Sequence, residues 1–322
     1  MTSLYGNDPA KRAFLAASDG GALHHAWLFA GPEGIGKARF ALLAARRILA
    51  GEGQPDDFSF PQDDRTQHLI DAGSHPDLRV LGRLLKDEKK PDQGYARSIT
   101  VAQIRSLEPF FGMMPTYSDR RVVIIDSADD LERNGANALL KNLEEPPPGT
   151  VFMLVTHAPG RLLPTIRSRC RTLRFEPLNE TDMRAALAEA LPAAKPAQIE
   201  ELVRLGKGSP ATALGMAGLD IGGLDAALVD LARGDPTNAI RGELARALAL
   251  KAAQPRYEAF LDRAPSFVAG VAKLRSGNDL RTALDAYDAA RTLAASALGL
   301  SLDVQGTVFE MGGIVARLAQ HR

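Results

Sequence analysis

Gly31, Gly34, Gly36 and Lys37 stand in the spacing G-x-x-x-x-G-K, a pattern suited to holding a phosphate. Glycines let consecutive backbone N–H groups curl round an anion, and the lysine at the end of the loop reaches its outer oxygens. A glycine turn unrelated to phosphate is the alternative, and the flanking residues argue against it. Ala26-Trp27-Leu28-Phe29-Ala30 is a continuous apolar run, as in a strand buried on both faces. A helical pattern follows from Lys37 to about Leu49, so an anion in the loop would lie at a helix N-terminus. The position after the lysine departs from the pattern. A Ser or Thr hydroxyl there would ligate magnesium, whereas Ala38 offers a methyl group that cannot bind a hard cation.

A second chemical element is the apolar strand Val122-Val123-Ile124-Ile125, which ends in the carboxylate of Asp126. Hydrolysing enzymes built this way place a glutamate next, to orient the attacking water; here the residue is Ser127. Asp129 and Asp130 fall where the following helix is expected to start, and acidic residues there suit its macrodipole, so they read as caps. Thr156 follows the apolar strand 151–155. Arg167, Arg169 and Arg171 alternate through Arg-Ser-Arg-Cys-Arg, and by residue type alone they solvate an exposed turn. Cys170 has no base beside it in the sequence and reads as a small packed side chain. The histidines at 24, 25, 68, 75 and 157 lack metal-ligand spacing and read as structural.

Positioning such groups takes an α/β layer architecture with a parallel sheet. Strands are expected at 26–30, 78–81, 121–126, 151–155 and 172–175, and a helix from Asn134 runs through Leu139, Leu140 and Leu143 until three prolines at 146–148 stop it. Gly51–Asp64, with Phe58 and Phe60, and the charge cluster Lys86–Gln93 read as surface insertions. After Pro177 only helical patterns remain: short ones at 181–191, 197–205 and 209–216, a glycine linker at 218–223, then alanine- and leucine-rich helices to the end. Leu224, Leu228 and Leu231 share one face, as do Leu280, Leu284 and Tyr287.

Composition narrows the class. The chain of 322 residues carries 39 basic and 39 acidic side chains, and this balance favours a protein-binding component over an autonomous nucleic-acid binder. A single cysteine excludes an internal disulfide and a cysteine-rich zinc site. Met1–Asp8 has no signal-peptide pattern, and no apolar run reaches the roughly 20 residues of a membrane span, so the cytoplasm is the expected location.

The run from Val122 to Phe175 resembles the clamp-loader branch of the AAA+ ATPases, and within it the delta-prime subunits of bacterial DNA polymerase III. The residues that carry the resemblance are Asn137-Ala138-Leu139-Leu140-Lys141, Leu143-Glu144-Glu145-Pro146-Pro147 and Ser168-Arg169-Cys170, together with the P-loop. It covers about residues 1–220. It implies an α/β P-loop AAA+ domain with a parallel sheet at 1–176, a small helical lid at 177–220 and an all-α collar at 221–322. It implies that Arg169 serves as an arginine finger in the ATP site of a neighbouring subunit, with Arg167 and Arg171 as its support. It also makes Gly31, Gly34, Gly36, Lys37, Asp126 and Thr156 a degenerate nucleotide site, Thr156 at the position called sensor 1. A strand-end threonine with no nucleotide role is the other reading of Thr156. Ala211 stands where active relatives place the sensor 2 arginine, and the zinc site that delta-prime relatives often carry is missing.

The resemblance thus implies a non-hydrolysing scaffold subunit with no required cofactor, holding ATP or ADP weakly at most. Its partners would be gamma/tau ATPase subunits and the delta subunit, with the sliding clamp and primed DNA reached through the complex and no membrane. A working ATPase using Lys37 and Asp126, or a static nucleotide-binding subunit, are the alternatives.

Overall fold

The computed structural model describes residues 4–19, 23–51, 58, 65–87, 89–90, 94–300 and 302–319. The chain divides between Gly215 and Met216 into two compact units. In chain order the first contains α1 (Asp8–Asp19), β1 (Ala26–Ala30), α2 (Lys37–Leu49), α3 (Arg65–Asp71), β2 (Leu78–Leu81), α4 (Val101–Arg105), α5 (Glu108–Gly112) and β3 (Arg121–Ile125). Then come α6 (Arg133–Glu144), β4 (Thr150–Thr156), α7 (Pro164–Arg167), β5 (Arg171–Arg174), α8 (Glu180–Ala190), α9 (Pro196–Gly206) and α10 (Pro210–Met216).

The five strands form one parallel sheet in the order β2-β3-β4-β1-β5. The three central strands are buried at every residue, which is why they read as unbroken apolar runs, while the edge strands β2 and β5 are partly exposed and carry Arg79, and Arg171 and Arg174. Side chains of successive residues part to opposite faces. Trp27, Phe29, Val122, Ile124, Met153 and Val155 pack with α1 and α2 on one side; Ala26, Leu28, Val123, Ile125, Phe152 and Leu154 pack with Leu139 and Leu143 of α6 on the other.

The first face centres on Phe40 of α2, fully buried among Phe14, Phe29, Phe58 and Phe175 at centroid distances of 5.6, 5.0, 5.2 and 5.1 Å. Phe58 therefore corrects the sequence expectation: it is a partly buried member of this cluster rather than a surface residue. Phe60, most of 51–64 and Pro91 lie outside the described residues. Lys86 belongs to a small antiparallel excursion after β2, where Leu85 bridges Tyr95 and the Lys86 amide donates to Gly94 O.

The second unit is all helical: α11 (Ile221–Arg233), α12 (Ala239–Leu248), α13 (Gln254–Ala272), α14 (Gly277–Leu300) and α15 (Val304–Ala316). Leu224, Leu228 and Leu231 are fully buried, as their spacing requires. Two expectations need correction. Gly222 and Gly223 are not linker but the first turn of α11, because the Asp220 side chain caps that helix by accepting from the Gly223 amide at 3.2 Å. On α14 the buried stripe is Ala283, Ala286, Ala290 and Ala297, while Leu284 is 49% exposed. Among the described residues no single helix is long and apolar enough to cross a membrane.

Phe40→Ala should cost about 3–5 kcal/mol, because four rings lose their common neighbour and the cavity cannot close. Urea denaturation followed by circular dichroism measures the loss, which would be under 1 kcal/mol if the cluster collapsed freely onto the gap.

Candidate functional site

Parallel pairing sets the ends of β1 and β4 side by side, with Ala30 opposite Thr156, and those of β4 and β3, with Leu154 opposite Ile125. The segments that leave these strands therefore converge. Gly34 and Gly36 take φ of +75° and +101°, left-handed conformations that carry no penalty without a Cβ. Gly36 caps α2 without a side chain, leaving the first amides of that helix to whatever occupies the loop. A cavity of about 860 Å³ opens here, lined by Glu33 to Lys37, Ala38, Arg83, Asp126, Ser127, Asp130, His157 and Pro210 to Thr212, among others.

Lys37 lines the cavity, but its ammonium is held against the wall. It is 3% exposed, and its Nζ donates to Gly31 O at 2.7 Å, to Pro32 O, and to His157 Nδ1 at 3.0 Å. An ammonium has three donors and no acceptor, so all three are in use, and Nδ1 of His157 must be the accepting nitrogen. The ring proton then sits on Nε2, which donates to Ser127 Oγ at 2.7 Å. A hydrogen-bond chain Ser127–His157–Lys37 thus ties the segments after β3 and β4 to the phosphate loop. Burial pulls the Lys37 pKa down to about 8, against the attraction of Asp126, Asp129 and Glu33. Burial raises the Asp126 carboxyl, with His157 and Lys37 opposing the shift.

His157 is the site residue that residue-type reasoning passed over as structural. It directly follows Thr156 at the end of β4, and that adjacency was the available signal. Thr156 itself is fully buried and donates from Oγ1 to Asp129 Oδ1 at 2.6 Å; it does not line the cavity. Asp129 also accepts from the His157 amide at 2.6 Å and the Ala158 amide at 3.3 Å. It is thus a clamp on the end of β4 rather than a helix cap, since a 3-10 turn at Ala128–Asp130 separates it from α6. Asp130, the other expected cap, pairs with Arg83 at 3.0 Å.

Ala38, Ser127 and Ala211 all face the cavity. The Ala211 amide donates to Gly34 O at 3.1 Å, and a Cβ on Gly34 would lie 2.3 Å from Ser209 Oγ, so the start of α10 rests directly on the loop. With a methyl at 38 and the Ser127 hydroxyl held by His157, neither of these positions offers magnesium a free oxygen ligand.

Arg169 lies apart from this cavity, just before β5. Its side chain is 35% exposed; Nη1 donates to Thr165 O at 3.0 Å and Nη2 meets Glu144 Oε1 at 2.6 Å. Arg171 does not support it but lies over the Trp27 ring at 5.1 Å, and Arg167 lines a separate surface cavity with Arg174. Burial pushes the Cys170 thiol up to about 12, consistent with a packed, unreactive side chain.

The strand order, a P-loop after β1, an aspartate after β3 and helices following β5 define an AAA+ type P-loop module. A family model described as DNA polymerase III, delta subunit, matches residues 6–179. The chain is 36% identical over 214 residues to DNA polymerase III subunit delta' of Pseudomonas aeruginosa, covering 66% of this chain and 61% of that protein. It is 39% identical over 167 residues to the Bacillus subtilis subunit delta', covering 52% and 46%. A DNA polymerase III subunit gamma/tau of Mycobacterium bovis is 31% identical over 188 residues, covering 58% and 30%. The chain belongs to the DNA polymerase III delta-prime family. It spans about half to three fifths of the length of the delta' relatives it matches.

The lowered pKa of Lys37 has a measurable sign. The folded state releases this proton near pH 8 and the unfolded chain near 10.5, so between these values the unfolded state binds more protons and stability rises with pH. Urea unfolding from pH 7 to 10.5 should show wild type gaining stability relative to Lys37→Met across that window. A difference that is flat with pH would contradict the burial of the charge.

Proposed function

We propose that this chain is a non-hydrolysing subunit of a DNA polymerase III clamp loader that lends Arg169 to the ATP site of a neighbouring subunit. The observation that carries the proposal is that Arg169 is partly exposed and lies outside its own chain's cavity. Such a guanidinium is within reach of another molecule. Kinship with a gamma/tau subunit supports gamma/tau proteins as the neighbours it serves. The delta subunit, the sliding clamp and primed DNA complete the assembly by the same family reading, with the helices of 221–322 as the collar and the cytoplasm as the setting.

The chain's own site supports the passive half of the proposal. Phosphoryl transfer needs a metal bridging the phosphates and a group orienting the nucleophile. Ala38 removes the metal's hydroxyl, Ser127 is too short and too engaged to orient water, and Lys37 spends its donors on its own loop and on His157. No cofactor is required in this reading, and ATP or ADP binds weakly without turnover. A guanidinium fork, by contrast, is preorganised for the charge that builds on a γ-phosphate, and is worth about 10³–10⁵ in rate where it acts.

Arg169→Ala in a loader reconstituted with gamma/tau and delta should assemble normally and lose most of the DNA-stimulated hydrolysis of the neighbouring site. An unchanged rate in the intact complex would refute the trans role. The size of the cavity favours static nucleotide binding as a second reading, held back by the Lys37–His157 bond. His157→Ala frees Lys37, so ATP should raise its melting midpoint by more than that of wild type; equal shifts would show that His157 does not restrain the lysine.

A further inference from the structure

Glu144 ends α6 within the Leu-Glu-Glu-Pro-Pro run, and nothing so far gives that run a task beyond stopping the helix. Its Oε1 meets Arg169 Nη2 at 2.6 Å, while Arg169 Nη1 donates to Thr165 O at 3.0 Å. The guanidinium is thus gripped by two elements, the end of α6 and the helix α7. Both are anchored: Leu143, beside Glu144, is 1% exposed, and Ile166 of α7 is fully buried. The arginine and the glutamate are themselves 35% and 50% exposed, so the pair faces solvent and a second molecule can reach it. Five N–H groups belong to a guanidinium; the bond to Thr165 O uses one, and the Glu144 carboxylate meets Nη2 as an ion pair.

We propose that Glu144 is a positioning residue, holding the Arg169 guanidinium aimed outward before a neighbouring subunit's phosphate arrives. The proposal rests on the trans-arginine reading above. A group already fixed in its working geometry loses less freedom when charge develops against it. The contact uses a single carboxylate oxygen and is open to water; exposed pairs of this kind shift an equilibrium by about fivefold at most. That is enough to bias a rotamer and too little to withhold the arginine from a polyphosphate.

Two measurements test it. In the chain alone, labelled with ¹⁵N-arginine, rotation of the Arg169 Nη groups should be hindered in wild type and released in Glu144→Ala. In the loader reconstituted with gamma/tau and delta, Glu144→Ala should lower kcat for DNA-stimulated ATP hydrolysis by about two- to fivefold. KM for ATP and assembly by gel filtration should be unchanged, and Glu144→Gln, which keeps an acceptor, should recover part of the loss. Free rotation in wild type would overturn the proposal, as would a wild-type kcat in Glu144→Ala while Arg169→Ala is impaired. A rise in kcat would overturn it too, by showing that Glu144 restrains the arginine. If Arg169→Ala is itself silent although rotation is hindered, the trans-arginine reading fails and the proposal falls with it.

Discussion

The parallel register of β1, β3 and β4 is the constraint on which the rest of the first unit depends. It brings Gly31, Asp126 and His157 out of the sheet at neighbouring points, and the Gly31 amide donates to Thr156 O across the junction. A slip of one residue in β1 would turn Trp27 and Phe29 to the opposite face and carry the phosphate loop away from its neighbours. The alternation of two packed faces prevents that slip, so the core and the site are fixed by the same pairing. Asp129 then locks the arrangement by taking the Thr156 hydroxyl and the His157 amide together. With those bonds made, His157 is placed to join Ser127 to Lys37.

A P-loop has two uses for its lysine, and the chemistry of position 38 decides between them. Where a hydroxyl recruits magnesium, the lysine is needed on the phosphates. Here the position is Ala38, which offers no oxygen to a metal, and the ammonium is satisfied on Gly31, Pro32 and His157. Burial without a carboxylate partner at hydrogen-bond distance is unfavourable for that charge, which is why the Lys37 pKa is drawn down to about 8. The loop has kept its shape because Gly34 and Gly36 also carry the packing of α10 and the start of α2.

The sheet was legible in the sequence because strands covered on both faces must be apolar throughout, and β1, β3 and β4 stood out on that ground alone. The phosphate loop was legible through its glycines, and the departures at 38 and 127 through the residue types, whereas position 211 was marked by the family resemblance. What escaped was whatever depends on a partner distant in the chain. Asp129 looked like a helix cap because its sequence neighbours are helical, yet a 3-10 turn aims it at β4. His157 has no spacing to announce it, since its partners lie 30 and 120 residues away. Phe58, set in a polar glycine-rich stretch, gave no sign that an aromatic cluster would receive it. On α14 the leucines suggested the buried face, but close helix packing selected the alanines.

The most direct test of the proposed division between a silent site and a lent arginine is steady-state ATP hydrolysis by the purified chain with magnesium, beside Lys37→Ala. No turnover above the variant is expected, because position 38 is an alanine, position 127 a serine, and the Lys37 ammonium is bonded to Gly31, Pro32 and His157. Magnesium-dependent turnover that Lys37→Ala abolishes would contradict this and make the chain an ATPase in its own right.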